Sequence, residues 1–299
     1  MTGWLVAEDA RIEGDGAALV DGLSFDADGA RVGLVGDWSP LFRALSRRAT
    51  LTRGEIRVLG SPLEAAIARG EAGVALAIPA TDWTALEYLV TSARLAGFGR
   101  RDSGRMAQEG LDLFGLGPIA TRAMASLDPR HRRAVAVVHA TLGEPPVILL
   151  DRPFAGLSGA DADFVSDVVD RAAVGRRLGV SVDAPAAVGA EASYLARADH
   201  VVVLERGGVV RSGAPPQALA MSPRCGVRVA RAVGPLVRAL VAEGVRVERV
   251  AVAGDSGEDG PGRLVVHLPP GQSASLIVRA ALAVTAPLLE LVPIGFAGP

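Results

Sequence analysis

The stretch Val147–Ser158, VILLDRPFAGLS, constrains the fold of this chain more than any other. Val147 to Leu150 form an unbroken apolar run, closed off by Pro145-Pro146 before it and Pro153 after it. A run this short and this apolar predicts a strand buried on both faces, as in a parallel sheet. Asp151 then falls at the carboxyl end of the strand, where open α/β sheets place their ligands. Arg31–Val35, Val74–Ala77, Leu178–Val182 and Val201–Leu204 are further short apolar runs with helical patterns between them. That alternation predicts an α/β domain.

Composition narrows the chemistry. The chain has 299 residues, enough for two domains, and 49% of them are apolar. Its net charge of −2 is spread along the sequence, with no basic tail for nucleic acid and no polybasic membrane patch. One cysteine, Cys225, rules out an internal disulfide framework and a multi-cysteine metal site. The start of the chain carries acids and lacks the charged-then-apolar pattern of a signal peptide. No run approaches the roughly 18 apolar residues of a spanning helix. The expectation is a cytoplasmic protein. All 31 basic residues are Arg, and the sequence holds neither Lys nor Asn. Any chemistry that needs the compact ammonium of a lysine is therefore absent, and the forked guanidinium does not replace it.

VILLDRPFAGLS resembles the Walker B segment of the ATPase subunits of ABC transporters, usually LLLDEPFAGLD. The resemblance extends along most of the chain. Gly54–Gly60, GEIRVLG, matches a strand that follows the phosphate loop in that family. Thr84–Gly97 resembles the start of its helical subdomain, and Ala125–Leu142 resembles its signature helix. Tyr194–Leu204 and Arg211–Met221 resemble its closing strands. The implied fold is α/β: a P-loop-NTPase-like ABC ATPase domain over residues 1–222, with a helical subdomain at about 84–142. From about Arg224 the order of elements reads β-α-β-β-α-β, a ferredoxin-like pattern, which predicts a small α+β domain over 223–299. That domain and its ELVP phrase at Glu290–Pro293 resemble the C-terminal unit of ABC-2-type exporter ATPases. Nothing in it looks catalytic, and His267 reads as a structural residue on a strand.

The departures from the family pattern fall where the chemistry would be. The family loop GxxGxGK[ST] wraps phosphates in backbone N–H groups, reaches them with Lys and holds Mg²⁺ with a hydroxyl. Here Gly36 is followed by Asp37-Trp38-Ser39-Pro40, about four residues shorter than that motif, with Trp38 where Lys belongs. Ser39 is expected to cap the following helix, with Pro40 in its first turn. The signature glycines have become Leu127-Asp128-Pro129-Arg130-His131, expected to start a helix through an Asp128 cap. Arg130 as a phosphate ligand is the sharper alternative. The family's catalytic Glu is Arg152, expected to neutralise Asp151; its γ-phosphate His gives way to Asp183-Ala184-Pro185; and its Gln gives way to Ile78-Pro79-Ala80-Thr81. His131 and His139 are expected at the surface and in the core, and Glu87 as a solvated helix residue.

Phosphoryl transfer on this fold is positioning and electrostatics by a few named groups, and nearly all are missing. The expectation is a pseudo-ATPase, with hydrolysis absent or very weak, no catalytic residue and no resident metal. Gly36, Ser39 and Asp151 are the vestigial nucleotide-site residues. ATP with Mg²⁺ would be a cofactor only if the chain still binds nucleotide weakly. The partners implied by the resemblance are an integral-membrane permease or a homologous ATPase subunit, in a homo- or heterodimer on the inner face of the membrane, and no nucleic acid. A soluble regulatory module is the third reading.

Overall fold

The computed structural model describes residues 3–76, 80–183, 189–219, 222–250, 259–269 and 272–297, without the side chains of 222–223 and 293–297. The chain divides into two compact units. The first comprises Met1–Ala184 and Ala198–Gly213, and the second Pro185–Arg197 and Ala214–Pro299.

The first unit is built on two sheets. β1 (Leu5–Gly14) and β2 (Ala17–Ala27) form an antiparallel pair, extended by β4 (Thr50–Val58) and the short β5 (Ser61–Pro62) in the order β2-β1-β4-β5. The second sheet has six strands in the order β10-β9-β3-β8-β7-β6. They are β3 (Arg31–Val35), β6 (Ala72–Ala75), β7 (Val147–Leu150), β8 (Arg177–Val182), β9 (His200–Glu205) and β10 (Gly208–Gly213). All neighbours in it are parallel except the edge pair β9–β10. All four residues of β7 are fully buried, the environment its unbroken apolar run demands. Ile148 pairs with Gly73 on one side and Leu178 on the other.

Helices fill the crossovers: α1 (Ser39–Leu45), α2 (Leu63–Ala68), α5 (Pro129–Thr141) and α6 (Gly159–Ala172). α3 (Ala85–Leu95) and α4 (Arg100–Leu113) form the helical insertion between β6 and β7. α3 begins with a capping box: Thr84 accepts the Glu87 N–H, and Glu87 accepts the Thr84 N–H at 2.8 Å. Glu87 is thus a cap rather than a merely solvated residue, and the Thr84 N–H holds its carboxyl below the usual range. Asp128 caps α5 as expected, accepting the His131 N–H at 3.0 Å. Ile78 and Pro79, in the stretch that replaces the family Gln, lie outside the described residues.

The second unit contains α7 (Ala190–Ala196), α8 (Pro215–Leu219), β11 (Ser222–Val229), α9 (Val233–Ala242), β12 (Arg246–Val250), β13 (Gly262–His267), α10 (Ser275–Ala283) and β14 (Leu288–Ala297). Its sheet order is β12-β13-β11-β14, antiparallel throughout, which is the ferredoxin-like arrangement. Cys225, Val227, Val229, Leu264 and Val266 on one sheet face pack with Leu236, Leu240, Leu276 and Ile277 from α9 and α10. Cys225 is a buried free thiol in that core, and burial pushes its pKa up to about 11.

Candidate nucleotide-site corner

β3 and β7 both end at the same edge of the parallel sheet with β8 between them, so Gly36 and Asp151 stand two strands apart. The three loop residues Gly36–Trp38 turn β3 directly into α1. Gly36 needs its lack of a side chain twice over. Its φ is 107°, and a Cβ would lie 2.2 Å from the Leu204 carbonyl oxygen.

Three backbone donors of this turn, on Gly36, Trp38 and Ser39, are taken by the chain itself. Gly36 N–H donates to Val182 O at 2.8 Å and Trp38 N–H to Gly36 O at 3.0 Å. Ser39 N–H and Oγ–H both donate to Asp37 Oδ1, at 3.1 and 2.5 Å. Pro40 has no N–H to offer. Ser39 was expected to cap α1; instead Trp38 occupies the cap position and Ser39 is the first helical residue. The Asp37 carboxylate binds its donors first, and a carboxylate at that place meets the positive end of the helix dipole.

Trp38, at the position where the resemblance places a lysine, points into the core. It is 2% exposed, stacks edge-on against Phe25 at 5.2 Å, and donates Nε1–H to Val35 O at 3.1 Å. Packing thus commits the side chain to the core.

Asp151 sits past β7, with its N–H on Ala75 O at 2.8 Å. Its Oδ1 accepts from Ser181 Oγ at 2.9 Å and lies 3.4 Å from Arg152 Nε. Ser181 also accepts the Arg152 N–H at 2.9 Å, so one buried hydroxyl holds both residues. Arg152 then reaches Asp183 Oδ1 at 3.4 Å. The neutralisation of Asp151 by Arg152 expected from the sequence is present, and Asp183 is a second carboxylate on the same guanidinium. Arg133 of α5 is a further cation near the cluster; burial lowers its pKa while the Asp151 charge works the other way. Where the resemblance implies Glu and His, this chain carries Arg152 and Asp183, which pair with each other. Asp183 was named in the sequence only as a missing His. The simultaneous exchange of Glu for Arg was the signal that could have identified the pair.

The signature-like helix start is closed in the same way. Arg130 pairs with Asp161 at 3.1 Å and lies 5.5 Å from the centre of the Phe164 ring. His131 Nδ1 lies 2.8 Å from Asp128 Oδ1. Arg130 is thus engaged by α6, and His131 by its own cap. Among the described residues no group of three or more His, Cys, Asp or Glu side chains could hold a metal ion. Each carboxylate at this corner already has a partner of its own: Asp151 has Ser181 and Arg152, Asp183 has Arg152, and Asp37 has Ser39. The donors present do not fit a resident Mg-nucleotide.

A separate groove of about 610 Å³ opens on the first unit between α1, α2, β6, α3 and α5, with Leu45, Ile67, Leu95, Phe98, His139 and Leu142 on its walls. His139 stacks edge-on against Tyr88 at 5.6 Å, and burial lowers its pKa. Leu95 is 85% exposed beside this groove. No helix is long and apolar enough to cross a membrane among the described residues.

No protein-family model matches the chain. The curated iron import protein "Fe(3+) ions import ATP-binding protein FbpC" of Brucella suis biovar 1 is 35% identical over 132 residues, 44% of this chain and 36% of that protein. "Molybdenum import ATP-binding protein ModC" of Rhodopseudomonas palustris is 30% identical over 167 residues, 55% of this chain and 41% of that protein. The match therefore spans about 36–41% of the length of these relatives. Among solved structures, MJ1267, an ATP-binding cassette of an ABC transporter, superposes with a TM-score of 0.61 at 16% identity, over 73% of this chain and 94% of that one. A nucleotide-free ATP-binding cassette from an ABC transporter gives 0.58 at 18% identity, over 70% and 90%. The chain has the α/β fold of an ABC-transporter ATP-binding cassette.

Proposed function

We propose that this chain is an ATP-binding-cassette subunit of a transporter that has lost hydrolysis and acts by association with a membrane permease or with a competent ATPase subunit. The observation that carries the proposal is the β3–α1 turn: the Gly36, Trp38 and Ser39 donors are bound to Val182, Gly36 and Asp37, and the residue in the lysine position is packed against Phe25. A nucleotide would have to displace a neighbouring carboxylate and break a core contact before meeting a single phosphate ligand. The cluster of Asp151, Arg152 and Asp183 supports the same reading, because a guanidinium shared by two carboxylates stands at the metal and base positions.

The groove on the first unit supports association. Leu95 and Phe98 offer apolar surface beside a concave site large enough for a few side chains of a partner helix. The curated relatives are named for import, whereas the C-terminal ferredoxin-like unit is the feature that resembles ABC-2-type exporters. These two lines part on the direction of transport, so the proposal rests on the shared ground of a transporter cassette. Gly36, Ser39 and Asp151 remain in it as vestiges of a nucleotide site.

Calorimetric titration of the purified chain with Mg-ATP tests the proposal. The expected result is no saturable heat with ATP up to the millimolar range, and phosphate release at background. Saturable binding in the micromolar range would establish a nucleotide-binding subunit instead. Absence of the chain from any permease extracted in detergent would favour a free regulatory module.

A further inference from the structure

Among the described residues Leu95, at 85%, is the most exposed large apolar side chain. It ends α3, and Phe98, 37% exposed, follows it in the turn to α4. The turn reads Arg94-Leu95-Ala96-Gly97-Phe98-Gly99-Arg100-Arg101, two large apolar side chains between arginines. Its backbone is fixed. Gly97, at a φ of 96°, donates its N–H to Arg94 O at 3.0 Å, and Phe98 N–H donates to Ala93 O at 3.1 Å. Ser103, fully buried, donates its N–H to Gly99 O at 2.9 Å and its Oγ–H to Phe98 O at 3.2 Å. The Phe98 ring packs on Gly143, where a Cβ would lie 2.8 Å from Cζ. The fold thus holds Leu95 out in solvent on a rigid support.

A lone exposed leucine is ordinary; its company here is not. Arg94, Arg100 and Arg101 are exposed and make no ion pair among the described residues. Arg100 and Arg101 stand in the first turn of α4, whose cap Gly99 supplies no side-chain bond. Cations there oppose the helix dipole, so folding alone disfavours them. Arg47, just past α1, is likewise exposed and without an ion pair among the described residues, and it lines the same groove as Leu95 and Phe98. No carboxylate is among the residues that line this groove. Nearby acids have cations of their own: Glu71 holds Arg69 at 2.7 Å, and Asp102 lies 3.8 Å from Arg105. Glu144, exposed beside Gly143, is a single counter-charge against four guanidinium groups. No basic run marks this surface in the sequence, because the fold assembles it from the end of α1 and the α3–α4 turn.

We propose that the α3–α4 turn is a membrane-contact element that rests on a surface of anionic phospholipid. Leu95 and the exposed edge of Phe98 enter the boundary between headgroups and acyl chains. Arg94, Arg100, Arg101 and Arg47 meet lipid phosphates, which the forked guanidinium matches, while their aliphatic stems lie along the apolar layer. A lipid surface takes a protruding leucine and flanking cations together without a matching hollow. A single strand of nucleic acid would use the arginines and gain nothing from Leu95, which offers no ring for a base to stack on. One short element of this kind binds weakly by itself, so the contact orients a chain rather than anchors it. The proposal rests on this turn and not on the reading of the nucleotide corner. A partner helix in the adjoining groove is compatible with it and is not required by it.

The test is co-sedimentation of the full-length chain with vesicles, in the absence of permease and nucleotide. One set is phosphatidylcholine alone, and the other an equal mixture of phosphatidylcholine and phosphatidylglycerol. Binding to the mixed vesicles is expected, weakening as salt rises, with background binding to phosphatidylcholine. Leu95→Asp is expected to lower the affinity about tenfold, because it removes the inserted side chain and adds a carboxylate. Arg100→Gln combined with Arg101→Gln is expected to lower it about twentyfold, at about fivefold for each arginine near an anionic surface. That double variant relieves the α4 dipole and is expected to melt no lower than the native chain, so it reads binding apart from folding. Arg249→Gln, at an exposed arginine of the second unit, is the control for net charge and is expected to bind as the native chain does. Several results overturn the proposal: no binding to the mixed vesicles, equal binding to both sets, or unchanged affinity in the Arg100 and Arg101 double variant. An equal loss in Arg249→Gln, or tighter binding of oligodeoxythymidylate than of the mixed vesicles, overturns it as well.

Discussion

Two regions of this molecule treat their polar groups in opposite ways. At the nucleotide corner the chain satisfies itself: Asp37 takes the Ser39 donors, Ser181 holds Asp151 and Arg152 together, and Arg152 links two carboxylates. On the C-terminal sheet the chain leaves Arg228 and Arg263 directly opposite one another. A ligand site normally keeps donors and charges unspent, so that a ligand can use them. By that criterion the corner that carries the family resemblance is closed, whereas on the sheet Arg228 is paired with Glu290 and Arg263, opposite it, makes no ion pair among the described residues. Ancestry and present use can therefore lie in different parts of one chain.

The strongest way to break this contrast is at Trp38. If the corner is now core, Trp38→Ala removes a buried aromatic ring together with its edge-on contact to Phe25 and its bond to Val35 O. A loss of about 3–5 kcal/mol in denaturant unfolding is expected, in the range for large-to-small changes at buried aromatic sites. A loss below about 1 kcal/mol would mean that the ring is dispensable and the site can open.

A smaller effect is expected at Ser181, whose hydroxyl is 1% exposed on β8. Ser181→Ala strips Asp151 Oδ1 of one donor and leaves the Arg152 N–H without its acceptor. Leaving buried polar groups unpaired costs about 1–3 kcal/mol. Because Arg152 is partly exposed, its ion pair with Asp151 is screened and offsets little of that loss. Urea unfolding of the variant checks the size, and an unchanged midpoint would show that the cluster does not hold the strand ends together.

Much of the fold was legible in the sequence because its signals are strong and local. The apolar run of β7, the Asp128-Pro129 start of α5 and the order of elements after Arg224 each follow from patterning that tertiary structure did not override. The details of the site were less legible. Ser39 has the chemistry of a cap, yet the short turn places it inside the helix and gives its donors to Asp37, a choice fixed by loop length rather than residue type. The extent of β11, Ser222–Val229, is set by pairing with β13 and β14 on both sides, which carries polar residues into the ladder. The opposition of Arg228 and Arg263 escapes any linear reading: the two are far apart in sequence, and only the register between β11 and β13 brings them together.

That register also supplies the gentlest test of the contrast. Arg263→Thr removes one of the two opposed guanidinium groups and puts a strand-favouring residue in its place. A gain of about 0.2–1 kcal/mol is expected, opposite in sign to both changes at the corner. The charge part of that gain is a repulsion between exposed groups, so it shrinks as ionic strength rises toward 1 M, where the Debye length falls to about 3 Å. The part due to strand propensity remains at every salt concentration. Thermal unfolding of native chain and variant over a salt series separates the two. A gain independent of salt would assign it to propensity alone and remove the opposed charges as a cost of the fold. A loss of stability would show that Arg263 has a structural role, and the sheet would then be as self-satisfied as the corner.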